Sequence, residues 1–409
     1  MAERPVDPMI EAVRRAAESG MPRRRVLQAA ALGSAAVAGS SLLAACGTKG
    51  GAGSATSSAP TVPDKSDTDK TLNFSNWQLY IDVDEKDPNK RPTLDEFTKQ
   101  TGVKVSYVED INDNDSFYAK IAPALRAGQD TGKDIFALTD WMAARLIRQG
   151  YVQKVDKANL PNVDKNLIDS LKAPTWDPQR EHSAPWQSGV TGIAYNSAKV
   201  GEVKSVEELL TRADLKGKVT VLTEWRDTIG LILLQQGKDP SNFTDDDFMN
   251  AVDYLQKSND SGQIRQFTGN DYSGLLADGT AYACMAWSGD VVQLQADNPN
   301  IKFVQPEAGM MIWADNMMIP NMAQHKKNAE LLMNFYYDPA IAAQLTAYVQ
   351  YISPVKGTKE AMTKVDPTLV DNLLIFPDEA FLAKTHLFMG VEEATEKKYA
   401  AAFNKVKGS

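Results

Sequence analysis

The sequence predicts an α/β protein with two lobes. Short β-rich runs alternate with amphipathic helical stretches, an alternation typical of α/β architecture with largely parallel sheets. The body that follows the N-terminal leader has about 340 residues, more than one hydrophobic core usually supports, so two lobes are expected. Several strands end in tryptophan, and ligands of open α/β sheets bind at the carboxyl ends of strands. The sequence therefore predicts a ligand site at these strand ends.

The predicted elements follow one another without an internal repeat. The strands are expected at residues 72–74, 104–108, 134–138, 218–222 and 282–286. Helices are expected between them, for example at residues 92–101, 117–127 and 245–257. A helix between two strands provides the long crossover that parallel strands require.

The first 45 residues have the layout of a removable secretory signal. Arg23, Arg24 and Arg25 precede a soft apolar stretch at residues 26–45. The Arg-Arg-Arg-Val-Leu-Gln run is similar to a twin-arginine export signal. Leu43-Ala-Ala-Cys46 resembles the bacterial lipobox, which predicts that Cys46 becomes the lipid-modified N-terminus.

Residues 46–70 are predicted to be a flexible tether. They consist mainly of Gly, Ser, Thr, Ala, Pro and Asp and cannot bury much apolar surface. The folded body is therefore expected to start near Thr71. Its single cysteine, Cys284, lies in an apolar run and is predicted to be a small core residue.

Charge and motifs exclude several function classes. The whole chain carries −9, and residues 1–45 hold six Arg against four acids, which leaves −11 on the remainder. An acidic body disfavours nucleic acid as a partner. A glycine-rich phosphate loop and Cys/His metal spacing are both missing from the sequence. We therefore expect no cofactor, no metal site and no catalytic role.

Aromatic and acidic residues recur together where the predicted strands end. Five such runs end at a tryptophan: Trp77, Trp141, Trp225, Trp287 and Trp313. One tryptophan usually means core packing, but five at one topological level indicate the wall of a site. Carboxylates accompany them, namely Asp140, Glu224, Asp227, Asp290 and Asp315. Aromatic faces and carboxylates together suit an organic cation.

Two of these carboxylates are expected to act as a pair. Thr223 is a plausible N-cap, which places Glu224 and Asp227 in the first turn of a helix, three residues apart. Residues at this spacing project from one face of a helix.

The body from about residue 71 to 408 resembles the spermidine/putrescine-binding receptors of ABC importers, within the extracellular solute-binding protein superfamily. The most specific segments are Asn76-Trp-Gln-Leu-Tyr80, Thr223-Glu-Trp-Arg-Asp227, Trp287-Ser-Gly-Asp290, Ile312-Trp-Ala-Asp315-Asn with Ile319-Pro320, and Tyr351 with Pro354. The resemblance implies a two-lobe, periplasmic-binding-protein-like fold whose lobes are joined by strands crossing at residues 187–192 and 312–316. Lobe 1 would comprise residues 71–189 and 315–357, and lobe 2 residues 190–314 and 358–409.

The same resemblance implies a ligand site. Trp77 and Tyr80 would form an aromatic wall, and Asp315 would be the central carboxylate that holds an amine nitrogen. The full expected set is Trp77, Tyr80, Trp141, Glu224, Asp227, Trp287, Asp290, Trp313, Asp315 and Tyr351. The family often has a glutamate where this chain has Leu79. One amine partner is therefore missing, unless Asp290 or Asp140 replaces it.

The implied function is capture of putrescine or spermidine and delivery to an ABC permease. The protein would be a monomer held by its lipid at the outer face of the cytoplasmic membrane, in a periplasmic space or at the cell surface. Other ligands remain open, because a quaternary amine would also suit the tryptophans and Arg226 could bind the carboxylate of an amino acid.

Two more distant alternatives also follow from the superfamily. Its iron receptors use adjacent tyrosines, such as Tyr336-Tyr337, although this pair lies in a helical pattern where one ring should pack and the other face solvent. Its thiaminase-like transferases use a cysteine nucleophile, for which only Cys284 is available in the body.

Overall fold

A computed structural model describes residues 62–84 and 86–408 of the chain. The predicted signal, the lipobox and Cys46 lie outside these residues. The described residues form one mixed sheet of ten strands, flanked by helices. The strands are β1 (Thr71–Trp77), β2 (Lys104–Ile111), β3 (Ile135–Thr139), β4 (Ala184–Asn196), β5 (Val219–Leu222), β6 (Ile264–Thr268), β7 (Ala283–Trp287), β8 (Ile301–Val304), β9 (Met310–Met318) and β10 (Thr385–His386).

The α-helices separate most of these strands, as the alternating pattern predicts. In chain order they are α1 (Pro92–Thr101), α2 (Asn114–Arg126), α3 (Asp140–Arg148), α4 (Pro161–Asn166), α5 (Val206–Thr211), α6 (Trp225–Gln235), α7 (Asp245–Asp260), α8 (Tyr272–Ala277), α9 (Ser288–Asp297), α10 (Lys326–Tyr336), α11 (Pro339–Val349), α12 (Thr358–Val365), α13 (Glu379–Leu382) and α14 (Glu393–Lys407).

The sheet has two parallel halves joined by antiparallel strands. Its order is β2-β1-β3-β9-β4-β7-β5-β6, with β10 beside β9 and β8 beside β4. The pairs β1/β2, β1/β3, β5/β6 and β5/β7 are parallel. Strands β4 and β9 pair antiparallel with each other. Strand β4 also pairs antiparallel with β7 and β8, and β9 pairs antiparallel with β3. The α/β prediction is confirmed, but the expectation of largely parallel pairing is wrong for the centre of the sheet.

The two central strands connect the two halves. The N-terminal part of β4 pairs with β9, and its C-terminal part pairs with β7 and β8. Strand β9 pairs with β4 and, at its C-terminal end, with β3. All thirteen residues of β4 are buried, so both faces of this strand are covered. Residues 187–192 and 312–316 lie inside β4 and β9, at the crossings expected from the sequence. Below, "first lobe" means the elements around β1, β2 and β3, and "second lobe" those around β5, β6 and β7.

Local signals set the helix ends near the strand termini. Helix α2 begins after Asp113, whose carboxylate accepts the Ser116 N–H at 2.7 Å. Helix α7 begins with a capping box between Thr244 and Asp247. These caps satisfy backbone donors that a helix start leaves unpaired. The cap at Asp113 fixes the position of Asn114, which contacts the site described below.

The body begins earlier than Thr71. The Lys327 N–H donates to Asp64 Oδ2 at 3.0 Å, and the Asn328 N–H donates to Ser66 Oγ at 3.1 Å. Ser66 is buried. Residues 64–70 are therefore docked on α10 rather than free, which sequence composition did not predict because polar side chains make these contacts.

Cys284 is fully buried in β7, which confirms its predicted place in the core. Within residues 62–84 and 86–408, no helix combines the length and the apolar character that a membrane crossing needs.

Candidate functional site

A cavity of about 700 Å³ lies where the ends of β1, β3 and β7 meet the crossing strand β9. The structure brings all ten residues of the expected ligand set into its lining: Trp77, Tyr80, Trp141, Glu224, Asp227, Trp287, Asp290, Trp313, Asp315 and Tyr351. They come from both lobes and from segments far apart in the chain. The residues that follow the parallel strands share this location because the carboxyl ends of those strands face the same crevice. Trp313 and Asp315 reach it from inside the antiparallel strand β9.

Four aromatic rings form a continuous wall of the cavity. Trp287 meets Trp77 edge to face at a centroid distance of 5.9 Å and meets Trp313 at 6.4 Å. Trp313 contacts Tyr351 at 5.6 Å. The two contacts of Trp287 are edge to face, a geometry that the ring quadrupoles favour, whereas the Trp313–Tyr351 pair is tilted.

The indole nitrogens are anchored within the protein. Nε1 of Trp77 donates to the Ala137 carbonyl at 3.0 Å. Nε1 of Trp287 donates to Asp227 Oδ2 at 3.1 Å, and Nε1 of Trp313 donates to Thr191 Oγ1 at 3.0 Å. With their donors used, these tryptophans offer ring surface to a ligand rather than hydrogen bonds.

Two glycines allow the aromatic wall to pack closely. A Cβ at Gly189 would lie 2.6 Å from Trp313 Cζ2, and a Cβ at Gly289 would overlap the ring of Tyr351. Any side chain at these positions would displace the rings. Gly289 belongs to the Trp287-Ser-Gly-Asp290 segment, so part of this motif serves packing.

Asp315 lies at the centre of the site and is 3% exposed. Its Oδ2 accepts the Tyr80 hydroxyl at 2.8 Å, and its Oδ1 accepts the Thr139 hydroxyl at 2.8 Å. Neutral hydroxyls orient this carboxylate without neutralising it. Burial raises the pKa of Asp315 to about 7.

Glu224 and Asp227 lie at the start of α6. Oε1 of Glu224 accepts the backbone N–H of Asn114 at 2.8 Å and its side-chain amide at 2.7 Å. Asp227 accepts the Thr191 hydroxyl at 2.8 Å as well as the Trp287 indole. Burial raises the pKa of Glu224 to about 8, with a further rise from nearby acids such as Asp113, and burial raises the pKa of Asp227 to about 6.

Asp290 and Asp140 have different surroundings. Oδ1 of Asp290 accepts the Tyr351 hydroxyl at 2.7 Å, while Oδ2 accepts the Tyr272 hydroxyl at 2.8 Å and the Asn270 amide at 3.0 Å. Asp290 thus accepts three hydrogen bonds, more than any other of the five carboxylates, and is the acid of the set best suited to holding Tyr351 in place. Asp140 accepts the Asn316 amide at 2.7 Å, and burial raises its pKa to about 6.

These five carboxylates share one electrostatic property. Among the described residues, none of them forms a salt bridge with Lys, Arg or His. Two nearby arginines pair elsewhere: Arg226 with Glu396, and Arg145 with Asp115 and Glu396. A third, Arg180, lines the cavity and donates to Ser183 Oγ and Asn316 Oδ1, so its charge acts on Asp140 only at longer range. The ionised form of a carboxylate is unfavourable when it is removed from water and has no cation beside it. Burial accordingly raises the pKa of all five carboxylates, including Asp290. The site therefore favours either bound protons or a cation from outside.

Two details of the sequence interpretation are wrong. Trp225 does not line the cavity; it is buried against Phe248, Phe388 and Tyr399. Residues two apart lie on different sides of a helix, so Trp225 and Asp227 cannot both face the cavity. The N-cap of α6 is Glu224 rather than Thr223, and its side chain makes no capping hydrogen bond because it bonds to Asn114.

Trp141 lines the cavity, but an arginine covers one face of its ring. Cζ of Arg226 lies 3.8 Å from the Trp141 ring centroid and 4.0 Å from the Trp225 ring centroid. This guanidinium is thus stacked between two indoles. Trp141 therefore has less aromatic surface free than Trp287 or Trp313.

Leu79 points away from the site. It is 39% exposed, does not line the cavity, and has a left-handed backbone with φ of 57°. Its carbonyl accepts the Gln293 amide at 3.4 Å.

Two loops complete the cavity and were not predicted. They comprise residues 170–176, which include Trp176, and residues 387–392, which include Phe388. Neither loop has a periodic pattern or a strand end to indicate its position. In the first loop, Trp176 makes a cation–π contact with Arg180, whose Cζ lies 5.1 Å from the ring centroid.

The adjacent tyrosines lie in the core instead. Tyr336 and Tyr337 are both buried, so the expectation that one ring faces solvent is wrong. The Tyr337 hydroxyl donates to the Pro185 carbonyl at 2.7 Å. In the described part of the chain, no group of three or more His, Cys, Asp or Glu is arranged to hold a metal ion.

The chain is similar in sequence to two characterised binding proteins. The chain is 28% identical over 315 residues to the spermidine/putrescine-binding periplasmic protein of Escherichia coli, covering 76% of this chain and 84% of that one. It is 27% identical over 359 residues to the putrescine-binding periplasmic protein SpuD of Pseudomonas aeruginosa, covering 83% and 92%.

A solved structure titled a putative spermidine/putrescine ABC transporter from Listeria monocytogenes superposes with a TM-score of 0.72 at 24% identity, covering 83% of this chain and 99% of that one. This similarity confirms the predicted two-lobe fold. The family model described as bacterial extracellular solute-binding protein matches residues 93–370. The chain belongs to the bacterial extracellular solute-binding protein family.

Proposed function

We propose that this protein is the substrate-binding receptor of an ABC importer and that it captures a polyamine, putrescine or spermidine, in the cavity. The main support is the set of five buried carboxylates in the cavity, which form no salt bridge with a Lys, Arg or His of residues 62–84 and 86–408. A buried carboxylate gains most from a charged hydrogen-bond donor that arrives with the ligand. The names of the relatives in Escherichia coli and Pseudomonas aeruginosa agree with this ligand class.

The carboxylates suit a ligand with two separated positive charges. Asp315 belongs to the crossing strand β9, whereas Glu224 and Asp227 belong to the start of α6 in the second lobe. An ammonium group has three donors and no acceptor, so it complements carboxylate oxygens that already accept only neutral hydroxyls and amides. One ammonium at Asp315 and one toward the α6 pair would compensate both groups.

The aromatic wall suits the remainder of such a ligand. Trp77, Trp287 and Trp313 present rings whose N–H donors are used internally. A methylene chain packs on these rings, and an ammonium over a ring face gains ~0.5 to 2 kcal/mol. The wall and the carboxylates therefore act on different parts of one molecule.

The lobe boundaries remain those inferred from the sequence: residues 71–189 with 315–357, and residues 190–314 with 358–409. Closure about the crossings in β4 and β9 would bury the amine between the lobes. The permease would recognise the closed receptor, and we propose that the receptor itself is a monomer.

We also propose export by the twin-arginine-like signal and acylation of Cys46, on the basis of the lipobox-like Leu43-Ala-Ala-Cys46 run. A lipid anchor would keep the receptor at the outer face of the membrane, at high effective concentration near its permease. In a bacterial host fed labelled palmitate, the protein should carry the label and sediment with membranes, whereas Cys46→Ser should be unlabelled and released. Equal labelling of both forms would contradict acylation at Cys46.

The alternatives have less support. Arg226 lines the cavity and its Nη1 has no hydrogen-bond partner among the described residues. Its guanidinium is nevertheless stacked between indoles and its charge is already paired with Glu396, which makes it a weaker partner for an amino-acid carboxylate. A betaine needs only one acid and would leave several carboxylates uncompensated. For a transferase, Cys284 is fully buried and burial raises the pKa of its thiol, which opposes thiolate formation.

Calorimetric titration of the full chain tests the ligand class. We expect putrescine or spermidine to bind with micromolar or tighter affinity, and betaine and amino acids to bind at least about 100-fold more weakly, a difference of ~2.7 kcal/mol. Affinity should fall between pH 8 and pH 5.5, because the raised pKa values of Asp315 and Glu224 require protons to leave before a cation binds. Heat with another ligand but with no polyamine would overturn the ligand assignment and leave the receptor class intact.

A further inference from the structure

A cluster of three arginines around one glutamate connects the two lobes beside the cavity. Glu396 of α14 lies with Oε1 3.1 Å from Nη2 of Arg145 and with Oε2 3.4 Å from Nη2 of Arg148. Oε1 also pairs with Nη2 of Arg226. We call Glu396, Arg145, Arg148 and Arg226 the Glu396 cluster.

The members of this cluster come from opposite lobes. Arg145 and Arg148 belong to α3, which packs on β3 and β9. Glu396 belongs to α14, which packs on α7, and Arg226 belongs to α6, which packs on β5 and α7. The two salt bridges from Glu396 to α3 therefore span the lobes, whereas its bond to Arg226 stays within the second lobe.

A second contact spans the lobes at the same place. Arg226 of the second lobe stacks on Trp141 of the first at 3.8 Å. Glu396 orients the guanidinium of Arg226 for this stacking through its salt bridge. Arg148, Arg226 and Glu396 also line the cavity, so the cluster forms part of the enclosure itself.

We propose that Glu396 is a positioning residue that holds the lobes closed over the ligand and thereby slows its release. This inference rests on the proposed function. Glu396 is 4% exposed, and separating the lobes would leave it with Arg226 alone and would remove Arg226 from Trp141. Breaking a buried ion pair without replacement is costly. The cluster forms only when the lobes meet. It should therefore affect the rate at which the lobes open and release the ligand, not the rate at which the ligand first binds.

The same helix offers a matched control. Glu393 lies one turn before Glu396 at an exposed position, and its salt bridge among the described residues is to Lys397 of the same helix. The hydrogen bond from Lys397 is the main cause of its lowered pKa, and Arg148 and Arg145 contribute only through their charge at longer range. Glu393→Gln removes the same charge from the same helix without touching an interlobe contact. Arg148→Gln removes one interlobe salt bridge at a partly exposed side chain, where folding is least at risk.

Stopped-flow measurement of polyamine association and release tests the proposal. Glu396→Gln should raise the release rate by at least about tenfold and change the association rate by less than about threefold, since closure follows encounter. Arg148→Gln should raise the release rate by a smaller factor, and Glu393→Gln should match the wild type. A purely structural role would not separate the two rates. Unchanged release from both Glu396→Gln and Arg148→Gln would overturn the proposal.

Small-angle scattering of the ligand-free chain separates this inference from the proposed function. Glu396→Gln should have a larger radius of gyration than the wild type and Glu393→Gln, because more of the population is open. That readout needs no ligand, so it tests the cluster even if the wild type binds no polyamine. Equal radii for all three proteins would contradict the role of Glu396 in closure.

Discussion

Asp315→Asn is expected to weaken putrescine binding at pH 7.5 by at least about tenfold, or ~1.5 kcal/mol or more. The substitution keeps the shape of the side chain, and the Tyr80 and Thr139 hydroxyls can each turn to suit an amide. What is lost is the negative charge that an ammonium would pair with. Calorimetry of the variant and the wild type at the same pH measures the difference.

The stability of the same variant provides an internal check. Burial raises the pKa of Asp315 to about 7, so the folded state binds this proton more tightly than the unfolded state. The contribution of Asp315 to stability is therefore complete below the unfolded pKa of 3.8 and declines as pH rises through about 7. Ligand-free Asp315→Asn should consequently be at least as stable as the wild type at pH 8.

The control for Asp315→Asn is a carboxylate outside the cavity. Asp253 is exposed on α7, and Asp253→Asn should change neither the affinity nor the stability by more than about 0.5 kcal/mol. An unchanged putrescine affinity in Asp315→Asn would remove this carboxylate from the binding site.

Trp287→Ala should have the largest combined effect. Its ring contacts Trp77, Tyr272 and Trp313, and its indole N–H donates to Asp227. Truncation should lower the free energy of unfolding by about 3 to 5 kcal/mol. It should also weaken polyamine binding by at least ~2 kcal/mol, because one ring face is lost and the neighbouring rings are released.

Denaturant titration and calorimetry on the same samples separate these two effects. Phe248→Ala is the matched control, because Phe248 is fully buried against Trp225 and Tyr399 and does not line the cavity. It should lose comparable stability but retain wild-type affinity under conditions where it is folded. Equal losses of affinity in both variants would assign the effect of Trp287→Ala to global destabilisation.

The strand ends were predictable because one physical rule governs them. The carboxyl ends of parallel strands share a crevice, so Trp77, Trp141 and Trp287 could be assigned to one site from the positions of their strands alone. Asp315 and Trp313 lie on an antiparallel crossing strand, for which this rule gives no direction. They were assigned to the site because the run at residues 310–313 is similar to the other strand ends. The prediction that a strand ends at Trp313 is wrong, since β9 continues to Met318, but both residues line the same cavity.

The remaining features depend on tertiary contacts that local patterns do not encode. The position of Trp225 was still accessible from helix geometry, because it lies two residues before Asp227. The stacking of Arg226 on Trp141 could not be predicted from local geometry. It depends on the salt bridge between Arg226 and Glu396, which lies 170 residues further along the chain. The loop at residues 387–392 reaches the cavity because the Met389 N–H donates to the Pro240 carbonyl at 2.9 Å, a contact with no sequence signature.

We propose that a cationic amine replaces bound protons at the buried carboxylates of the cavity. The putrescine titration at pH 7, repeated in two buffers that differ in ionisation enthalpy, counts the protons released on binding. Because Glu224 and Asp315 have pKa values raised to about 8 and about 7, binding that ionises both groups at pH 7 should release between about one and about two protons per ligand. Binding without proton release, or no heat from putrescine or spermidine, would contradict the claim.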